Sequence, residues 1–256
     1  MRFFFSLKTD WKLSFRLRTL LGVISTTGLA GVLLAGQLAV LSGCSGKQID
    51  ENDPAALYND AEEELKSDHY QIAIDKFRVV KNKFPYSKYS VDAQLRIADV
   101  YFMEDSFAEA ATAYEAFRDL HPKHEKTAYA MFRIGKSYYN DIPSPISRDL
   151  TPAQRALAAY TDFLNKYPNA PEAAEARKDV VEIRRTMGEK ELYIADFYFK
   201  RGYYRSSEQR YQKVIELYPE TDAANEAKKK LTRIESEHLA EKQEMEPPAS
   251  DQPNSK

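Results

Sequence analysis

Two hydrophobic patterns succeed one another along the chain. Residues 20–43 contain no charge at all, whereas from Lys47 onward small and aromatic residues recur among charged ones. The second pattern repeats. A first helix from Leu57, a turn at 67–70 and a second helix carrying Ala73 and Phe77 close on Phe84-Pro85. The next unit has a turn at 104–107, then Ala110 and Tyr114, and closes on His121-Pro122. A third passes Gly135 and Tyr138, resumes at Ala156 and Tyr160, and closes on Tyr167-Pro168. A fourth has Ala195 and Tyr198, a turn at 201–204, Tyr211, and Tyr218-Pro219. Ala224, Ala227, Leu231 and Ile234 then follow helical spacing and predict a closing helix to about His238.

With each closing proline set at repeat position 32, position 8 is Ala61, Ala98, Gly135 and Ala195. Position 20 is Ala73, Ala110, Ala156 and, as a departure, Ser207; position 24 is Phe77, Tyr114, Tyr160 and Tyr211. This matches the 34-residue tetratricopeptide (TPR) pattern of paired helices. Small residues let the two helices cross closely, the aromatic fills the space to the next repeat, and proline ends the second helix. The fold class expected is all-α, a TPR-like α-solenoid of about five helix-turn-helix repeats over residues 54–240. Two irregularities interrupt it: a proline-bearing loop at 140–150, and a charged helix over 171–187 that can merge with the next across Gly188. The acidic, Pro-rich segment 241–256 reads as a disordered tail.

The first pattern has another purpose. Arg2, Lys8, Lys12, Arg16 and Arg18 precede the uncharged run, which ends on Leu41-Ser42-Gly43-Cys44. A cationic start, an apolar stretch and small residues before a cleavage point describe a secretory signal over 1–43. The tetrad resembles a lipobox, in which the Cys44 thiol takes a diacylglyceryl group and the freed amine a further acyl chain. Residues 44–53 are then the lipidated N-terminus and linker. Three acyl chains anchor far more firmly than one. Ser45, where an Asp favours retention at the inner membrane, points to the outer membrane, facing the periplasm. An uncleaved transmembrane helix is the bland alternative, disfavoured by the four glycines within the run.

Composition excludes more than it asserts. A net charge of −2 and a pI near 6.2 lack the basic footprint of a nucleic-acid binder. One cysteine allows no disulfide framework and no multi-thiolate zinc site. The four histidines form no ligand spacing, since Pro122 separates His121 from His124, and no nucleophile elbow or Gly-rich phosphate loop is present. The expectation is a non-enzymatic chain with no metal and no cofactor beyond its lipid. Its work would be done by a groove along the first helices of the pairs. Tyr58, Phe102, Tyr129, Phe132 and Tyr139 fall at groove positions. Arg96, Arg133 and Lys136 beside them form a candidate clamp for a peptide carboxylate. The competing reading places the aromatics in the inter-repeat core and pairs the cations with Asp92 and Asp99.

Lipobox, TPR register, Phe84-Pro85-Tyr86-Ser87, Arg148-Asp149, Lys166-Tyr167-Pro168-Asn169 and Tyr198-Phe199-Lys200-Arg201-Gly202 together resemble the BamD (ComL/YfiO) family of outer-membrane assembly lipoproteins. The resemblance implies five TPR units and a part in inserting β-barrel proteins into the outer membrane. It further implies that N-terminal repeats receive unfolded barrel substrates, and that C-terminal repeats bind the BamA insertase beside other machinery lipoproteins. Arg201 sits where the family carries an arginine linked to the insertase, with Tyr203 adjacent. A periplasmic TPR lipoprotein coordinating envelope or peptidoglycan enzymes would carry the same repeats.

Overall fold

A computed structural model describes residues 49–144 and 148–245, with side chains to residue 236. The signal segment, Cys44, the start of the linker and the tail from 246 lie outside the described residues. Within them all regular structure is helical: α1 (Pro54–Lys66), α2 (Tyr70–Lys83), α3 (Lys88–Met103), α4 (Phe107–Leu120), α5 (Thr127–Asn140), α6 (Thr151–Lys166), α7 (Ala173–Lys200), α8 (Tyr204–Leu217) and α9 (Asp222–Met245). Each helix packs on the next, and the longer-range packing joins helices two apart: α1 with α3, α5 with α7 and α7 with α9. That nearest-neighbour packing defines a solenoid.

The turns are made alike. Asp68, Asp105 and Gly202, all at repeat position 15, take positive φ of 58°, 57° and 79°. The next N–H reaches back to the carbonyl five residues earlier, from His69 to Glu64, Ser106 to Tyr101 and Tyr203 to Tyr198. This is the helix-ending bond of a left-handed cap, which Gly and Asp tolerate better than most residues. The second helices end alike too. Phe84, His121, Tyr167 and Tyr218 precede the closing prolines at φ between −128° and −131°, outside the helical region that a following proline disfavours.

The register positions carry the core. Ala61, Ala98 and Ala195, Ala73, Ala110 and Ala156, and the aromatics Phe77, Tyr114, Tyr160 and Tyr211 are all fully buried. Ser207, the departure, is buried as well and donates its hydroxyl to the Tyr204 carbonyl at 2.7 Å. A Cβ on Gly135 would lie 2.5 Å from Cδ1 of Tyr160, so this crossing of α5 and α6 admits only glycine without movement.

Three apolar clusters line the array: one within α1–α3, one from α3 into α7, and one from α7 to α9. Helix α7 belongs to two of them. Ala176 and Ile183 pack toward α5 and α6, while Leu192, Ala195 and Phe199 pack toward α8 and α9. The charged helix does merge with its successor, giving one helix of 28 residues. Gly188 at the junction is buried, 3.3 Å from the Tyr218 Cβ and 3.1 Å from Thr221 Oγ1 by its notional Cβ, so it is a packing glycine rather than a break. The array thus reads as four helix pairs, the fourth made of the second half of α7 with α8, plus the added first half of α7 before it and α9 closing it.

Helix α9 runs to Met245, beyond the expected end near His238 and into the segment expected to be disordered. The residues 239–244 are good helix formers, and Pro247 follows only two residues after the helix ends. The loop after α5 is non-helical where described, and residues 145–147 lie outside the described residues. Asp149 accepts from the Thr151 N–H at 3.1 Å, starting α6, and Lys190 donates to the Arg148 carbonyl, tying the loop to α7.

Candidate functional site

The three cations of the expected clamp each have partners within the chain. Arg96 on α3 forks onto Glu62 of α1, Nε to Oε1 at 2.6 Å and a terminal nitrogen to Oε2 at 2.9 Å, and also reaches Asp99 at 3.1 Å. The Arg133 guanidinium lies 3.6 Å from the centre of the Phe102 ring and donates to the Tyr114 hydroxyl at 3.1 Å. Lys136 sits between Glu175 at 2.8 Å and Asp179 at 2.9 Å, above the Tyr139 ring. Burial works against its ammonium, but the two carboxylates more than offset that and hold its pKa above the ordinary value. A peptide carboxylate reaching these groups would have to displace bonds already made.

The aromatics divide between core and surface. Phe132 is 5% exposed and packs against Tyr160 and Phe163 at 5.9 and 5.8 Å between ring centres. Tyr58, Phe102, Tyr129 and Tyr139 are half-buried. Tyr58 leans on Phe77 and Tyr89. Tyr129 donates to Asp99 at 2.9 Å, and burial followed by that carboxylate pushes its phenol up to about 12.

Aspartates that accept from core tyrosines are the feature the sequence reading missed, two of them, Asp99 and Asp179, buried and Asp196 half-buried. The position-24 tyrosines each donate to one: Tyr114 to Asp99 at 2.6 Å, Tyr160 to Asp179 at 2.7 Å and Tyr211 to Asp196 at 2.7 Å. Each carboxylate also holds a cation, Arg96 on α3, Lys136 on α5 and Lys230 on α9 respectively. Desolvation first, then the carboxylate, raises all three phenols well above their usual range. Phe77, the aromatic of the first repeat, has no hydroxyl to satisfy. The signal was available: a tyrosine where phenylalanine would fill the space needs a buried acceptor.

Between α1, α3, the start of α5 and the α6–α7 turn lies a cleft of about 480 Å³. Tyr58, Leu95 and Tyr129 give it apolar surface, and Asp92, Arg96, Glu125, Lys126 and Glu172 give it charge. At the other end of the array, Arg201 caps α7 with its guanidinium 4.5 Å from the Phe197 ring centre, and it is exposed. Tyr203, two residues on, is 58% exposed and is followed by exposed Tyr204, and the Phe197 ring under the guanidinium is exposed as well. Exposed aromatic patches of this kind mark interaction surfaces.

Among the described residues no group of His, Cys, Asp and Glu is placed to hold a metal ion, and no helix is long and apolar enough to cross a membrane. What the fold defines is a TPR-type helical-repeat protein. More particularly, the chain belongs to the YfiO family, described as outer membrane lipoprotein, whose model matches residues 50–247. It is similar to the "Outer membrane protein assembly factor BamD" of Vibrio cholerae, 29% identical over 211 residues, which are 78% of this chain and 86% of the relative. The protein of the same name from Neisseria meningitidis serogroup A is 31% identical over 180 residues, 67% of each chain. Neither name describes an enzyme. Among solved structures, the MamA fragment from residue 41 of Desulfovibrio magneticus superposes loosely. It is 18% identical, with a TM-score of 0.36, covering 67% of this chain and 78% of that one.

Proposed function

We propose that this chain is a lipid-anchored subunit of the outer-membrane β-barrel assembly machinery, facing the periplasm, that binds unfolded barrel proteins and a BamA-like insertase. The observation that carries the reading is family membership across residues 50–247, a span that includes every described helix, together with relatives named as outer membrane protein assembly factors. The Leu41-Ser42-Gly43-Cys44 tetrad supports the anchor. The exposed Arg201 and Tyr203 at the α7–α8 turn support a partner contact there.

Affinity purification from detergent-solubilised membranes tests the role. The insertase and the other machinery lipoproteins should co-purify; recovery of peptidoglycan enzymes without an insertase would replace this reading with the envelope-scaffold one. Arg201→Glu should reduce insertase recovery while leaving helicity unchanged, because one exposed charge rarely affects stability by more than about 0.5 kcal/mol. Recovery equal to wild type would remove Arg201 from the contact. Cys44→Ala should abolish lipidation and release the chain from the membrane fraction or leave its signal uncleaved. An unaltered mass and unaltered fractionation would rule out the lipobox.

A further inference from the structure

We propose that the cleft between α1, α3, α5 and the α6–α7 turn takes a cationic stretch of polypeptide, lysine or arginine side chains interleaved with aromatics, rather than a free carboxylate terminus. The inference rests on the polypeptide-binding role above and specifies the chemistry of what is bound.

The internal ion pairs leave charge unmatched around the cleft. Arg96, the cation on the cleft wall, is already shared by Glu62 and Asp99. Asp99 in turn is filled by two tyrosine hydroxyls. That leaves four ionised groups around the opening with no ion pair among the described residues: Asp92, Glu125, Glu172 and Lys126. Three are acids, and two of these, Asp92 and Glu172, are half-buried. Glu125 and Glu172 stand at the starts of α5 and α7, where each helix offers about half a positive charge. Those partial charges reduce the acidity without cancelling it.

Shape agrees with charge. The cleft volume of about 480 Å³ falls in the range of roughly 300–1,000 Å³ typical of binding sites. Tyr58 and Tyr129 give it aromatic walls, and aromatic faces attract ammonium and guanidinium groups. A bound carboxylate would meet Asp92 and Glu172 with no uncommitted cation other than Lys126. A lysine side chain would meet the two acids and the rings.

Fluorescence anisotropy on the full lipoprotein in detergent tests this. The probe is a labelled, end-capped peptide of alternating Tyr and Lys, compared with its Glu-for-Lys counterpart and with the Lys peptide bearing a free C-terminus. The Lys peptide should bind at least tenfold more tightly than the Glu peptide, gain nothing from a free carboxylate, and weaken as salt is raised. Combined Asp92→Asn, Glu125→Gln and Glu172→Gln should weaken it about tenfold. The same charge change on α4, α6 and α8, as Glu109→Gln, Asp162→Asn and Glu216→Gln, should not. Lys126→Glu should tighten it, which keeps the test sharp if the triple variant folds poorly. Preference for the Glu peptide or the free carboxylate, equal effects of the two triple variants, or no binding of the Lys peptide would overturn the inference. If the insertase still co-purifies in that case, only the cleft chemistry is lost. If cation preference holds while the insertase is absent, only the assembly role is.

Discussion

Asp99→Ala is expected to lower the unfolding free energy by about 2–4 kcal/mol, chiefly the cost of leaving tyrosine donors without their charged acceptor. Asp99 is 6% exposed and joins three helices by accepting from Arg96 of its own helix, Tyr114 of α4 and Tyr129 of α5. Its removal leaves the Tyr114 hydroxyl in the core with the Arg133 Nε–H as its partner and no acceptor for its own proton. An unsatisfied buried donor costs about 1–3 kcal/mol, and Tyr129 loses its acceptor as well. Arg96 suffers least, because Glu62 still holds it. Asp99→Asn keeps an acceptor but not the charge and should fall between. Urea denaturation followed by far-UV circular dichroism measures both. A loss below about 1 kcal/mol for Asp99→Ala would mean that water replaces the carboxylate and that the network is not a stabilising element.

These networks also explain how far the sequence could be read. Repeat register was legible because it is local: a small residue at 61, 98 or 195 and an aromatic at 77, 114, 160 or 211 are each buried as their positions require. Turn chemistry was partly legible, since Asp68, Asp105 and Gly202 sit at the one position needing positive φ. The merging of two helices across Gly188 was legible too, and Tyr218 and Thr221 packing on that glycine show why it is small there.

The site was harder to read because its contacts are distant in sequence. Which cations remain available depends on carboxylates far away in sequence. Glu62 is 34 residues from Arg96, whereas equivalent positions of those two units, such as Ala61 and Ala98, are 37 apart, and Asp179 is 43 from Lys136, across the irregular third unit. Neither pair joins equivalent positions, so the repeat register alone predicts neither. Phe132 illustrates the same limit: its position assigns it to the groove, but its ring meets Tyr160 and Phe163 of α6 in the core. Half-buried Tyr58 and Tyr129, by contrast, do line the cleft.

Tyr160→Ala should cost about 3–5 kcal/mol, as for other large aromatic truncations in a closed core. The ring is fully buried, faces Gly135 on one side and Phe132 on another, and its hydroxyl serves Asp179, which is itself 5% exposed. Tyr160→Phe isolates the hydroxyl and should cost about 1–3 kcal/mol, because Asp179 then keeps only Lys136. Gly135→Ala supplies the complementary test. Alone it drives a methyl into the Tyr160 ring and should cost about 1–3 kcal/mol by overpacking, despite a helix-propensity gain of about 1 kcal/mol. In the Tyr160→Ala background the obstacle is gone, the propensity gain is all that remains, and the same substitution should be neutral or stabilising. The difference between the two backgrounds, read as a double-mutant cycle from denaturation midpoints, is the energy of close approach between α5 and α6. Equal effects in both backgrounds would show that glycine at 135 is not there for the ring.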